Sequence, residues 1–130
     1  MSITVFVRAA LATAGILLSS GLAAAAEWEL EGSWRLNVTC RNFSQVNNVT
    51  IGRADESKVL GTTNVDNGFG KIVGGAFDGK NFVFTNKYKY DGRNYTETWR
   101  GSLSSGGRSM RGKFESNSAA GGCSFRGNKS

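Results

Sequence analysis

Histidine and proline are absent from this 130-residue sequence, and cysteine occurs only twice. Without histidine there is no Ser–His or Cys–His nucleophile pair and none of the commonest neutral metal ligand. Two cysteines and scattered carboxylates do not form a metal-binding cluster, so neither a metal nor any other cofactor is expected. Gly68, Gly70, Gly74 and Gly75 precede no helical pattern, so no phosphate-cradling loop is implied. A glycosidase would need two facing carboxylates, and only one carboxylate falls on an inward face. The sequence therefore predicts no catalytic residue and no enzyme. Glycine, by contrast, is abundant at 18 residues. Glycine in excess without proline points to many turns and bulges in a regular sheet rather than to a linker.

Residues 1–26 have the layout of a secretory signal peptide. One basic residue, Arg8, precedes an apolar stretch through Ile16-Leu17-Leu18. Ala23-Ala24-Ala25-Ala26 then offers a cleavage site before Glu27. Ser19, Ser20 and Gly21 interrupt the apolar run before it reaches the length of a membrane span, so residues 27–130 are expected to form one exported domain without a transmembrane span. Of the 16 basic residues only Arg8 is in the leader, and all 10 acidic residues lie beyond it, which leaves 15 minus 10, or +5. An exported domain with two cysteines fits an oxidising compartment, periplasmic or extracellular.

From residue 32 onward the dominant signal is period-two alternation. It predicts strands near 33–41, 48–53, 58–65, 71–77, 81–90, 93–103, 109–116 and 122–127. Asp78-Gly79 and Asp91-Gly92 are hairpin turns. Trp34, Leu36, Val38 and Cys40 share one face of the first strand. Phe82, Phe84, Asn86, Tyr88 and Tyr90 share one face of the fifth, and Tyr95, Glu97, Trp99, Gly101 and Leu103 one face of the sixth. Met110, Gly112 and Phe114 point inward on the seventh, Cys123 and Phe125 on the eighth. Residues 27–31 and 128–130 read as loose ends. Eight strands with short turns favour an all-β fold, an antiparallel up-and-down barrel. Closure would remove both exposed edges and set the last strand beside the first, with a Cys40–Cys123 disulfide across the seam. A two-layer sandwich of the same strands is the alternative.

Gly32-Ser33-Trp34 opens the first strand as a G-x-W, and the last strand carries Arg126. This pairing resembles the calycin superfamily, the lipocalin- and avidin-like barrels. The resemblance implies that Trp34 packs at one end of the barrel with the Arg126 guanidinium over its ring, a cation–π contact. It implies the barrel fold and says little about activity. The biotin-contacting residues of avidins have no counterpart here. Small exported bacterial barrels that inhibit secreted hydrolases are similar in size and leader, but their inhibitory motifs are absent.

Two features could carry binding. Glu97 falls inward between Tyr95 and Trp99, where a carboxylate needs partners, and Asn86 lies on the adjacent strand. Asn86, Tyr88, Tyr95, Glu97 and Trp99 are therefore the candidate ligand-binding residues, with a satisfied structural Glu as the alternative reading. On the outward face, Arg35, Arg41, Lys87, Lys89, Arg100, Arg111 and Lys113 join Arg126 in a basic belt, suited to an anionic component of the cell envelope or simply to solvent. The aromatics point inward, which disfavours nucleic acid as a partner. The expected function is a non-enzymatic binding protein for a small or anionic ligand, or alternatively a module that binds a secreted protein.

Overall fold

Eight antiparallel strands follow one another around a closed barrel in chain order. The structure is a computed structural model that describes residues 28–65, 68–117 and 122–130. The expected export segment and residues 66–67 and 118–121, in two of the expected loops, lie outside the described residues. The strands are β1 (Gly32–Cys40), β2 (Ser44–Ala54), β3 (Val59–Val65), β4 (Gly68–Phe77), β5 (Asn81–Tyr90), β6 (Arg93–Ser104), β7 (Ser109–Ser116) and β8 (Gly122–Lys129). β1 pairs with both β2 and β8, so no edge is left exposed. Cys40 and Cys123 lie directly opposite each other in the β1–β8 register and are disulfide-bonded with their Cα atoms 4.3 Å apart. The sandwich alternative is excluded by this closure.

Alternation places one apolar face inside, as a period-two backbone requires. Trp34, Leu36, Val38, Val49, Ile51, Ile72, Phe84 and Trp99 are buried there. The rings form a continuous stack. Trp99 lies 4.5 Å from Phe114, 4.7 Å from Phe125 and 5.4 Å from Phe84, centroid to centroid. Each such pair adds about 0.5–1.5 kcal/mol beyond area burial. Gly101 and Gly112, paired across β6–β7, make room for this stack. A Cβ on Gly101 would lie 2.7 Å from the Phe82 ring, and one on Gly112 would lie 2.7 Å from the Phe125 ring. The carbonyl oxygens of Arg111 and Arg100 on the neighbouring strands come closer still, so the space at these glycines is filled by sheet backbone and aromatic carbon together.

The end of the barrel opposite the disulfide is capped by the chain preceding β1. Leu30 is fully buried, and the Trp34 indole donates to its carbonyl at 2.9 Å. The Ala54 amide donates to Glu31 Oε2, and Trp28 packs against the core. The expectation of loose ends fails here because a closed barrel has two open ends, and the apolar residues Trp28 and Leu30 gain by covering one. β8 also runs two residues further than the alternation suggested. Lys129, opposite Trp34 in the register, holds its Nζ 5.1 Å from the centroid of that ring and donates to the Glu29 carbonyl. The expected Arg126 contact is therefore corrected. Arg126 is an odd number of residues from Lys129, so it faces outward and is exposed, while the cation over Trp34 is Lys129. Tyr90 is corrected as well. It shares the inward parity of β5 but lies beyond the barrel wall at the strand end and is 51% exposed.

Candidate functional site

The buried polar side chains of the interior, Asn47, Thr63, Asn86 and Glu97, lie on β2, β3, β5 and β6, while Val38, Phe114 and the cystine keep the β1, β7 and β8 side apolar. Asn86 and Glu97 are register partners on β5 and β6, and hairpin pairing through Asp91-Gly92 fixes that register. Asn86 Nδ2 donates to Glu97 Oε1 at 3.0 Å, and the Trp99 indole donates to the same oxygen at 2.9 Å. Thr63 on β3 donates its hydroxyl to Asn86 Oδ1 at 3.0 Å. Tyr88 also hydrogen-bonds Glu97. Glu97 is 8% exposed, and burial raises its pKa above the ordinary carboxylate value, with the bonds from Asn86, Trp99 and Tyr88 acting in the opposite direction. Desolvation disfavours the charged form, and hydrogen bonds to the carboxylate favour it.

Of the five candidate ligand-binding residues, Asn86, Tyr88, Glu97 and Trp99 are joined in this network. Tyr95 is opposite Tyr88 and stacks on it at 5.2 Å. The two half-buried tyrosines lie between the network and the barrel mouth. Trp99 is wholly buried, so it holds Glu97 from below rather than facing the mouth.

Sequence reasoning missed three members of this region. Thr63 is buried and anchors the far end of the network. Gly70 faces Thr63 across β3–β4, and a Cβ there would collide with Thr63 Oγ1 and both polar atoms of the Asn86 side chain. Asn47 is 4% exposed, and its Oδ1 is buried with no hydrogen-bond partner among the described residues. The signal for Asn47 was present: inward Val49 and Ile51, extended back by two, give residue 47. Ser44-Gln45-Val46-Asn47 instead reads as polar chain ahead of the strand expected from residue 48.

The outer wall carries the basic belt. Arg35, Arg41, Lys87, Lys89, Arg100, Arg111, Lys113 and Arg126 are all exposed. Arg111 pairs directly with Arg126, Arg100 with Lys113 and Lys71 with Lys87. The ion pair among the described residues, Arg53–Asp55, lies outside this belt. Among the described residues no group of three or more His, Cys, Asp or Glu gathers as a metal site would require, and no helix is long and apolar enough to cross a membrane. Comparison of the chain with protein-family models, with curated proteins and with solved structures returns no match.

Proposed function

We propose that this chain is an exported, non-enzymatic, calycin-like barrel that binds a small ligand in the polar part of its interior, in the periplasm or outside the cell. The observation that carries this reading is Asn47 Oδ1, a buried acceptor with no donor among the described residues. Such a group destabilises a protein by about 1–3 kcal/mol and calls for a bound donor, a ligand or a water. It belongs to the part of the barrel that already holds Thr63, Asn86 and Glu97. An eight-stranded barrel has room for side chains or for one small ligand. Here aromatic rings fill one part and polar groups line another. Tyr88 and Tyr95 would supply an aromatic wall, and Glu97 and Asn86 would orient the polar part of the ligand. The disulfide is consistent with an oxidising compartment.

The test is native mass spectrometry of protein recovered oxidised from the periplasm. The expected result is a retained small-molecule adduct that Asn47→Leu abolishes while the fold persists. A bare polypeptide mass would overturn the reading.

A second reading, a protein-interaction module, draws on three exposed aromatics at the disulfide end. Phe43 is 45% exposed and Phe69 is 65% exposed. With Tyr90 they crown the same rim. Exposed aromatics of this kind are typical of interface anchors. A protein that co-purifies and is lost on Phe43→Ser with Phe69→Ser would favour this reading over the first.

A further inference from the structure

The outer wall over β6, β7, β8 and β1 holds a groove of about 640 Å³. A second, of about 340 Å³, adjoins it, and Asn37, Arg111 and Arg126 line both. Arg111 and Arg126 are directly opposed across β7–β8. Arg126 is in turn opposed by Asn37 across the barrel seam. One step along the strands Lys113 is opposed by Arg100 on one side and by Ser124 on the other. Like charges placed directly opposite each other on a sheet face are destabilising. None of these four cations has a carboxylate partner among the described residues, and no Asp or Glu lines either groove. The wall therefore presents concentrated positive charge that an external anion would relieve.

The rest of the lining specifies which anion. Thr39, Ser102 and Ser124 contribute hydroxyls, and Asn37 contributes an amide; Ser104, Ser109 and Asn128 continue the same chemistry in the second groove. These are neutral donor–acceptor groups suited to sugar hydroxyls. The guanidinium fork matches a carboxylate or sulfate in two-point geometry. The ring that lines the groove, Phe125, is buried, and the exposed aromatics Phe43, Phe69 and Tyr90 are not among the groove residues. No exposed ring is there to stack a nucleobase or to enter a bilayer interface. From Ser109 to Lys113 the β7 wall extends roughly 13 Å, long enough for a strand of polymer rather than a single ion. We infer that the Arg111–Arg126 wall binds an acidic polysaccharide, with the guanidinium pair on its acid groups and the Ser, Thr and Asn side chains on its hydroxyls. This surface is on the outside of the barrel, and the inference does not depend on the interior site.

The test is isothermal titration calorimetry of the oxidised protein with oligogalacturonate, with neutral dextran, anionic phosphatidylglycerol vesicles and a single-stranded oligonucleotide run alongside. Oligogalacturonate is expected to bind and dextran not to. The double variant Arg111→Gln/Arg126→Gln should weaken binding about tenfold or more through loss of the charge-assisted bonds. The control Lys80→Gln/Arg93→Gln removes equal charge from exposed positions outside the belt and both grooves and should change it less than about twofold. Arg111→Lys/Arg126→Lys should fall between, because it keeps charge and loses the fork. Near-UV circular dichroism of the aromatic stack verifies the fold of each variant. Absence of binding, equal losses in the two Gln doubles, or tighter binding of vesicles or oligonucleotide through the same arginines would each overturn the inference.

Discussion

Asn86 and Glu97 face each other across the β5–β6 hairpin, and the amide of one donates to the carboxylate of the other at 3.0 Å. The carboxylate is buried, and burial raises its pKa. Its folded-state pKa thus lies above its unfolded value. The folded state binds the proton more tightly, so this group's contribution to stability is greatest below the unfolded pKa. It declines as pH rises from there to the folded pKa and is level beyond it. Glu97→Gln keeps an acceptor for Asn86 and Trp99 and cannot ionise. Urea midpoints measured from about pH 4 to about pH 8 should show the variant gaining on the parent as pH rises. Parallel curves would show that Glu97 does not carry this titration.

Gly70 gives the Thr63–Asn86 pair its space. Gly70→Ala would drive a methyl into both side chains. The expected loss is about 1–3 kcal/mol, the usual effect of overpacking a filled interior, read from the shift in urea midpoint. Gly92→Ala is a useful contrast. Its Cβ would meet nothing within 4 Å, but its φ of +78° makes any loss there a backbone effect.

Lys129→Ala removes the cation over Trp34 and the bond to the Glu29 carbonyl. A loss of about 0.5–2 kcal/mol is expected. Arg126→Ala, on the exposed outer wall, should remain within about 0.5 kcal/mol of the parent. The reverse order in thermal melts would return the end-capping role to Arg126.

Cys40 and Cys123 are 83 residues apart in sequence. Their cross-link removes the entropy of a long loop from the unfolded chain. Cys40→Ala/Cys123→Ala should therefore lower stability by about 2–5 kcal/mol. Because the β1–β8 pairing itself remains, the far-UV spectrum of the folded variant should match that of the parent at low temperature.

Much of this architecture was legible because each inward position repeats every second residue and burial rewards that repeat. Trp34 to Cys40, Phe82 to Asn86 and Tyr95 to Leu103 could be oriented from spacing alone, and with them the disulfide across the seam. What could not be read depends on the barrel as a closed object. Leu30 and Trp28 look like a tail until there is an open end for them to cover. Lys129 looks like a terminal charge until β8 is long enough to reach Trp34. The first half of β2 is polar in composition, and it is a strand because β1 needs a hydrogen-bonding neighbour along its full length. Thr63 is illegible for the same reason: its meaning comes from Asn86, two strands away, which no local pattern displays.

The pairing of Ser130 with Ser33, next to the β8–β1 seam, bears on the order of events during biosynthesis. The opening strand waits for its second neighbour until β8 has been made. Until then the growing chain is an unclosed ribbon with a bare flank and no thiol partner for Cys40. A ribosome-stalled chain ending before Gly122 should therefore remain protease-sensitive however long it is given.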